Sequence, residues 1–267
     1  MQSCSIKQST LRPYLHEKDG PMANYPIVER KYFVTEKIDE TPEVLIIGMK
    51  PDDGKPNAFD PGMFMMVSGI DKQTGEKHVA RALSIASDPS SINVEFFVIK
   101  NPTHGEHIGR SHFMDVEIND PFMLKGPNGQ FKFDPNKDSK VLFIAGGTGL
   151  APFMSMLRHM KIVKAATDTV LLYSVKFPTE IIRKDELGTL EQQLKLKTVV
   201  TVTRPAPGDN WTGQTGHVDS AMIQKHVPDF AERMCYICGP LPFVKAIKDA
   251  LAALKVPPQR ISADVWG

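Results

Sequence analysis

Seven residues, Gly146-Gly147-Thr148-Gly149-Leu150-Ala151-Pro152, directly follow the apolar run Val141-Leu142-Phe143-Ile144-Ala145. Glycines at this point let the backbone turn sharply, and the helix that begins there turns its free N–H groups and positive end outward. A pyrophosphate is the ligand such a loop suits best. Pro152 fits the first helical turn, where its missing N–H costs little, so Gly147, Thr148, Gly149 and Pro152 are candidate cofactor-binding residues. A glycine-rich strand-to-helix turn without any ligand would read the same way. Pro152 also stands where a G-x-G-x-x-G loop has its third glycine, which sets the segment apart from an ordinary Rossmann dehydrogenase.

The end of the next apolar run is a second chemical signal. Dinucleotide sites that take NAD usually place Asp or Glu there, on the ribose hydroxyls. Here the run closes Tyr173-Ser174-Val175-Lys176, and Arg204 follows the run after it. Lys176 and Arg204 would suit a 2′-phosphate, which favours NADPH with NADH possible. Two solvated surface cations are the competing reading. Cys235 and Cys238 have C-x-x-C spacing but bracket Tyr236-Ile237 inside an apolar run, which fits coincidence better than a redox pair. With Cys4 they are the only cysteines, too few for a four-thiolate cluster.

The elements that must position these residues fall into two halves. Short apolar runs, Tyr32-Phe33-Val34, Val44-Leu45-Ile46-Ile47, Phe64-Met65-Met66-Val67 and the alternating Ile92-Asn93-Val94-Glu95-Phe96, predict antiparallel strands closing a barrel. After Pro135 strands alternate with helices, expected over Pro152–Val163, Thr179–Lys195 and His217–His226. A last helix carries Leu241, Val244, Ile247, Leu251 and Leu254 as one buried stripe. That alternation predicts a doubly wound parallel α/β sheet. The expected divisions are an N-terminal extension over 1–27, a β-barrel domain over 28–136 and an α/β domain over 137–267, joined between Phe133 and Lys140.

The chain has 267 residues, a net charge of +1, and 41% hydrophobic and 24% charged residues, as expected of a soluble protein. Its charge gives no support for bulk nucleic-acid binding. No stretch is long and apolar enough for a membrane span, and the first residues lack an apolar signal core, so a cytoplasmic protein is the expectation. Oligomeric state is not legible.

Four further segments resemble the ferredoxin–NADP reductase family. Arg81-Ala82-Leu83-Ser84-Ile85-Ala86-Ser87 is similar to its flavin motif, and Gly109-Arg110-Ser111-His112-Phe113 to its flavin-pyrophosphate segment. Lys125-Gly126-Pro127-Asn128-Gly129-Gln130-Phe131 resembles the turn that closes the barrel, and Tyr236-Ile237-Cys238-Gly239-Pro240 the C-G-P motif. The chain ends Ile261-Ser262-Ala263-Asp264-Val265-Trp266-Gly267. The resemblance spans about residues 30 to 267.

The resemblance implies an FAD-binding barrel and an NAD(P)-binding domain. It places Arg81, Gly109, Arg110 and Ser111 at the flavin phosphates, Leu83 on one flavin face, Ser84 near flavin N5, and Ile99 and Lys100 beside the flavin. Cys238, Gly239 and Pro240 would border the nicotinamide. Cys238, Ser84, Asp264 (where the family has Glu) and Trp266, covering the other flavin face, would form the catalytic set. Leu83 departs from the family's tyrosine, losing aromatic stacking and a phenolic hydrogen bond. The implied activity is hydride exchange between NADPH and FAD, with single electrons passing to a ferredoxin or flavodoxin-type carrier. Alternatives are an electron-transfer subunit of a hydrogenase- or dihydroorotate dehydrogenase-like complex, a free-flavin reductase, or a flavin-binding barrel without turnover.

Overall fold

The computed structural model describes residues 25–101 and 112–266. Six strands form the first sheet: β1 (Val28–Asp39), β2 (Val44–Pro51), β3 (Phe64–Gly69), β4 (Arg81–Ser84), β5 (Val94–Ile99) and β6 (Pro121–Asn128). They pair antiparallel in the order β4-β3-β6-β1-β2-β5. The two edge strands are drawn together just past β4, where the Ala86 N–H donates to the Glu95 carbonyl at 2.8 Å and the Glu95 N–H to Ser87 Oγ at 3.2 Å. The sheet is therefore a nearly closed barrel, and alternate residues such as Tyr32, Val34, Leu45, Ile47, Phe96, Phe122 and Leu124 fill it.

The second sheet contains β7 (Lys140–Gly146), β8 (Asp168–Val175), β9 (Leu196–Val202), the short β10 (Gln214–Thr215), β11 (Met234–Pro240) and β12 (Ile261–Trp266), all parallel. Its order is β10-β9-β8-β7-β11-β12. Helices α1 (Ala151–Val163) and α2 (Lys184–Gln193) cover one face, and α3 (Ser220–His226) and α4 (Leu241–Ala253) the other. This is the doubly wound sheet expected from the alternation of runs.

One of the core clusters spans the two halves. Val44, Ile46 and Phe97, on the outside of β2 and β5, pack in the same cluster as Phe143, Phe153 and Tyr236 of the α/β half. The connecting segment is held by aromatic edges: Phe133 meets Phe143 at 5.8 Å and Phe131 meets Tyr236 at 5.6 Å, each pair worth about 0.5–1.5 kcal/mol beyond burial. The Tyr236 hydroxyl then donates to Asp138 at 2.6 Å.

Several sequence expectations need correction. Ile92 precedes β5 and is 44% exposed, because the turn around Asp88 delays the strand to Val94. Leu241 is 56% exposed at the first position of α4, so the buried stripe is Val244, Ile247 and Leu251. The helix expected from Thr179 starts only at Lys184, after Arg183 adopts φ +50°, and the one expected from His217 starts at Ser220, capped by Asp219.

Candidate functional site

The strand order reverses between β7 and β11, and a doubly wound sheet opens a crevice at the carboxyl ends of its strands at that point. Both motifs of the second half meet there. From the β7 side, Gly147–Leu150 forms a single 3₁₀ turn that runs into α1, with Pro152 in the first turn of the helix. From the β11 side come Cys238, Gly239 and Pro240.

The loop lies against the strand. A Cβ on Gly149 would stand 2.3 Å from the Cys238 carbonyl oxygen and 2.8 Å from the Gly239 nitrogen, so only glycine fits. Gly147 differs: its φ is +55°, and no heavy atom lies within 4 Å of where its Cβ would be. A tight floor beneath an open backbone cradle, at a helix start, is the shape a pyrophosphate requires, and the residues fit a dinucleotide. The Phe243 ring packs under both Gly146 and Gly239 and holds the two strand ends together, a role nothing in its sequence position announces.

Cys238 is fully buried and in register with Asp264 of β12. Burial, with the Asp264 charge added, pushes the thiol well above its ordinary pKa, which disfavours the thiolate. Burial likewise raises the Asp264 carboxyl, partly offset by the Val265 N–H at 3.1 Å. Cys235 points to the opposite face of the sheet, into the core beneath α4, and burial pushes it up to about 12. Period-two alternation thus separates the C-x-x-C pair. Trp266 stands two positions beyond Asp264, opposite Pro240; its side chain lies outside the described part.

On the barrel, Arg81 and Leu83 share one side of edge strand β4. The Arg81 guanidinium lies 5.6 Å from the Phe113 ring centre, and Leu83 packs on the barrel core. Ser84 closes the strand, half-buried. A planar guanidinium fork and a hydroxyl on one edge strand suit a flavin phosphate and a ring nitrogen. Ile99 ends β5, half-buried, while the Lys100 ammonium is engaged by Asp39 at 2.6 Å and by the Thr41 carbonyl at 2.9 Å. Gly109, Arg110 and Ser111 lie outside the described residues.

At the ends of β8 and β9, Lys176 and Arg204 are exposed neighbours, tied by the Arg204 N–H to the Lys176 carbonyl at 2.8 Å. Sequence reading found no acid at the end of β8, yet the fold supplies one. Glu180 folds back to accept the Lys176 N–H at 3.1 Å. An acid five residues past a strand end is the only signal that could have flagged it.

The family described as "Oxidoreductase NAD-binding domain" matches residues 143–249. The glycine betaine monooxygenase reductase subunit of Pseudomonas aeruginosa is 28% identical over 194 residues, 72% of this chain and 52% of that protein. The propane 2-monooxygenase reductase component of Rhodococcus jostii is 26% identical over 267 residues, 98% of this chain and 70% of that protein. Among solved structures, the ferredoxin reductase in carbazole 1,9a-dioxygenase superposes with a TM-score of 0.78 at 24% identity, over 92% of this chain and 71% of that one. Together these likenesses support a relationship to the ferredoxin–NADP reductase-type family, with the family match itself confined to the nucleotide-binding half. Its barrel and parallel sheet match that family's flavin and NAD-binding domains, in that order. The chain spans about half the length of the first of these relatives. Among the described residues, no helix is long and apolar enough to cross a membrane.

Proposed function

We propose that the chain takes hydride from a nicotinamide dinucleotide, with NADPH preferred, and delivers single electrons through FAD to a ferredoxin- or flavodoxin-type carrier. The observation that supports this best is the crevice between β7 and β11, where the open Gly147 cradle stands beside Cys238-Gly239-Pro240. When bound, FAD supplies the conversion of a two-electron donor into one-electron steps. The chain's own residues do the rest. N–H groups of Gly147–Gly149 hold the pyrophosphate, and Arg81 the flavin phosphates. Cys238, whose burial raises its thiol pKa, borders the hydride path and excludes water from it. Ser84 presents a hydroxyl to flavin N5, and Asp264, holding its proton above the ordinary carboxylate range, is suited to share it. That two of the relatives are by name reductase parts of monooxygenases supports a protein carrier as acceptor. Leu83 in place of an aromatic favours a second reading, an electron-transfer subunit that turns over only with its partner present.

Anaerobic titration with NADPH and then NADH, following flavin bleaching, tests the proposal. Bleaching at stoichiometric NADPH, with FAD and not FMN released by acid, is the expected result. A protein that binds FAD but is bleached by neither cofactor would refute it.

A further inference from the structure

Besides Lys161 in its last turn, the polar residues of α1 are Ser155, Arg158 and His159 at its middle, which are spaced to share one face. All three reach across to consecutive residues just past the flavin strand. Ser155 Oγ donates to the Ser87 carbonyl at 2.7 Å, and Arg158 Nη1 donates to the Ala86 carbonyl at 2.8 Å. His159 Nδ1 lies 3.3 Å from the Asp88 carboxylate. The Arg158 fork is filled on its other edges by Glu186 at 2.7 Å twice and by Glu95 at 2.7 Å. Arg183, at the start of α2, takes the second Glu95 oxygen.

We infer that this face of α1 is a clamp that fixes the flavin half against the nicotinamide half, with Arg158 as its central positioning residue. The inference rests on the proposed function. The argument is one of lever lengths. Ala86 is two residues beyond Ser84, about 7 Å along an extended chain. Ser155 is six residues beyond Gly149, about 9 Å along a helix. Two short rigid arms meet at the clamp, so the distance between the Ser84 hydroxyl and the glycine loop is set there. Hydride transfer needs reacting atoms about 3–3.5 Å apart, and a displacement of about 1 Å can cost roughly 100-fold in rate. An arginine is required because a planar fork holds two carboxylates and a carbonyl at once, which a lysine cannot do.

The test compares the wild type with Arg158→Lys, Ser155→Ala and Glu186→Gln in flavin-loaded protein, by anaerobic stopped flow and by amide hydrogen exchange without nicotinamide. Arg158→Lys should lower the limiting rate of flavin reduction about 10- to 100-fold, while the dissociation constant for NADPH moves less than about threefold. Peptides covering 85–98 and 151–163 should exchange faster, and those of β1 and β2 at the wild-type rate. If Arg158→Lys does not fold, the two milder variants carry the same test, each with a smaller loss of rate and the same local exchange. A wild-type limiting rate in folded variants, or faster exchange throughout the chain, would overturn the clamp. A wild type that NADPH and NADH both fail to bleach would instead overturn the proposed function, and the exchange data would still decide whether α1 holds the barrel.

Discussion

Two glycines two positions apart should respond to the same methyl group in opposite ways. Alanine at Gly147 meets no atom, but it must adopt φ +55°, at a cost of about 1–2 kcal/mol. At about 2–4 °C per kcal/mol for a chain of this size, Tm should fall by roughly 2–8 °C. The new methyl enters the open space through which a pyrophosphate reaches the backbone. Losing one charge-assisted hydrogen bond costs about 1.5–3 kcal/mol, so the Kd for NADPH should rise about 10- to 150-fold. Alanine at Gly149 puts the methyl 2.3 Å from the Cys238 carbonyl oxygen, where only backbone could move. Overpacking costs about 1–3 kcal/mol with flexible neighbours, and here the loop must lift off β11, so Gly149→Ala should lose more stability than Gly147→Ala. FAD content should stay at one per chain in both, because the barrel has its own core. Thermal melts and fluorescence titration with NADPH read these effects separately. A Gly147→Ala protein with wild-type Kd would show that no phosphate approaches this loop.

Other consequences can be checked with single variants. Arg204→Ala should raise KM for NADPH more than for NADH, and Glu180→Gln should shift preference toward NADPH by up to about fivefold, since both groups are solvated; equal effects on the two cofactors would mean neither side chain reads the 2′-phosphate. Cys235 and Cys238 should react with a thiol reagent only after denaturation, as both thiols are held above the ordinary range; labelling of either in the folded protein would contradict their burial. Asp264 has a folded pKa above its unfolded one, so it binds more protons in the folded state and its contribution to stability falls as pH rises through that interval. Asp264→Asn should therefore melt a few degrees above the wild type at about pH 8 and gain less at about pH 4, while flavin reduction slows; a constant gain would rule out the titration. Trp266→Ala should tighten nicotinamide binding about threefold to tenfold if an aromatic there covers the flavin; weaker binding with a large fall in Tm would mark the residue as a structural plug.

What the sequence disclosed was local. The glycine loop, the strand before it and the helix after it lie within about 25 consecutive residues, and period and turn chemistry suffice to read them. Alternation by two, applied to Cys235 and Cys238, correctly favours coincidence over a redox pair, since residues three apart on a strand face opposite ways. The polar face of α1 is not legible in the sequence because its partners are remote: Arg158 reaches Ala86 across 72 positions and Glu95 across 63. No periodicity encodes such contacts. Three polar residues at i, i+3 and i+4 within a largely apolar helix are the available sign. Glu180 and Phe243 escaped for a related reason, each acting through a backbone that only the fold brings near.

The shared core bears on how nicotinamide gains entry. Because Val44, Ile46 and Phe97 of the barrel pack in the same cluster as Phe143 and Phe153, opening the two halves would expose apolar side chains on both. Burial of such surface stabilises by about 25 cal/mol per Å², so even a modest hinge would be costly. The carboxyl end of β12 is a different matter. It pairs only with β11, on one side, and its last register pair is Pro240 with Trp266. An edge strand's final residues are held by few bonds and open at low free energy. If nicotinamide binds beside Cys238 as proposed, parting β12 from β11 at that point makes room at less cost than parting the halves that the α1 contacts join. On that reading pre-organisation of the proposed sites falls to the α1 face and access to an edge strand.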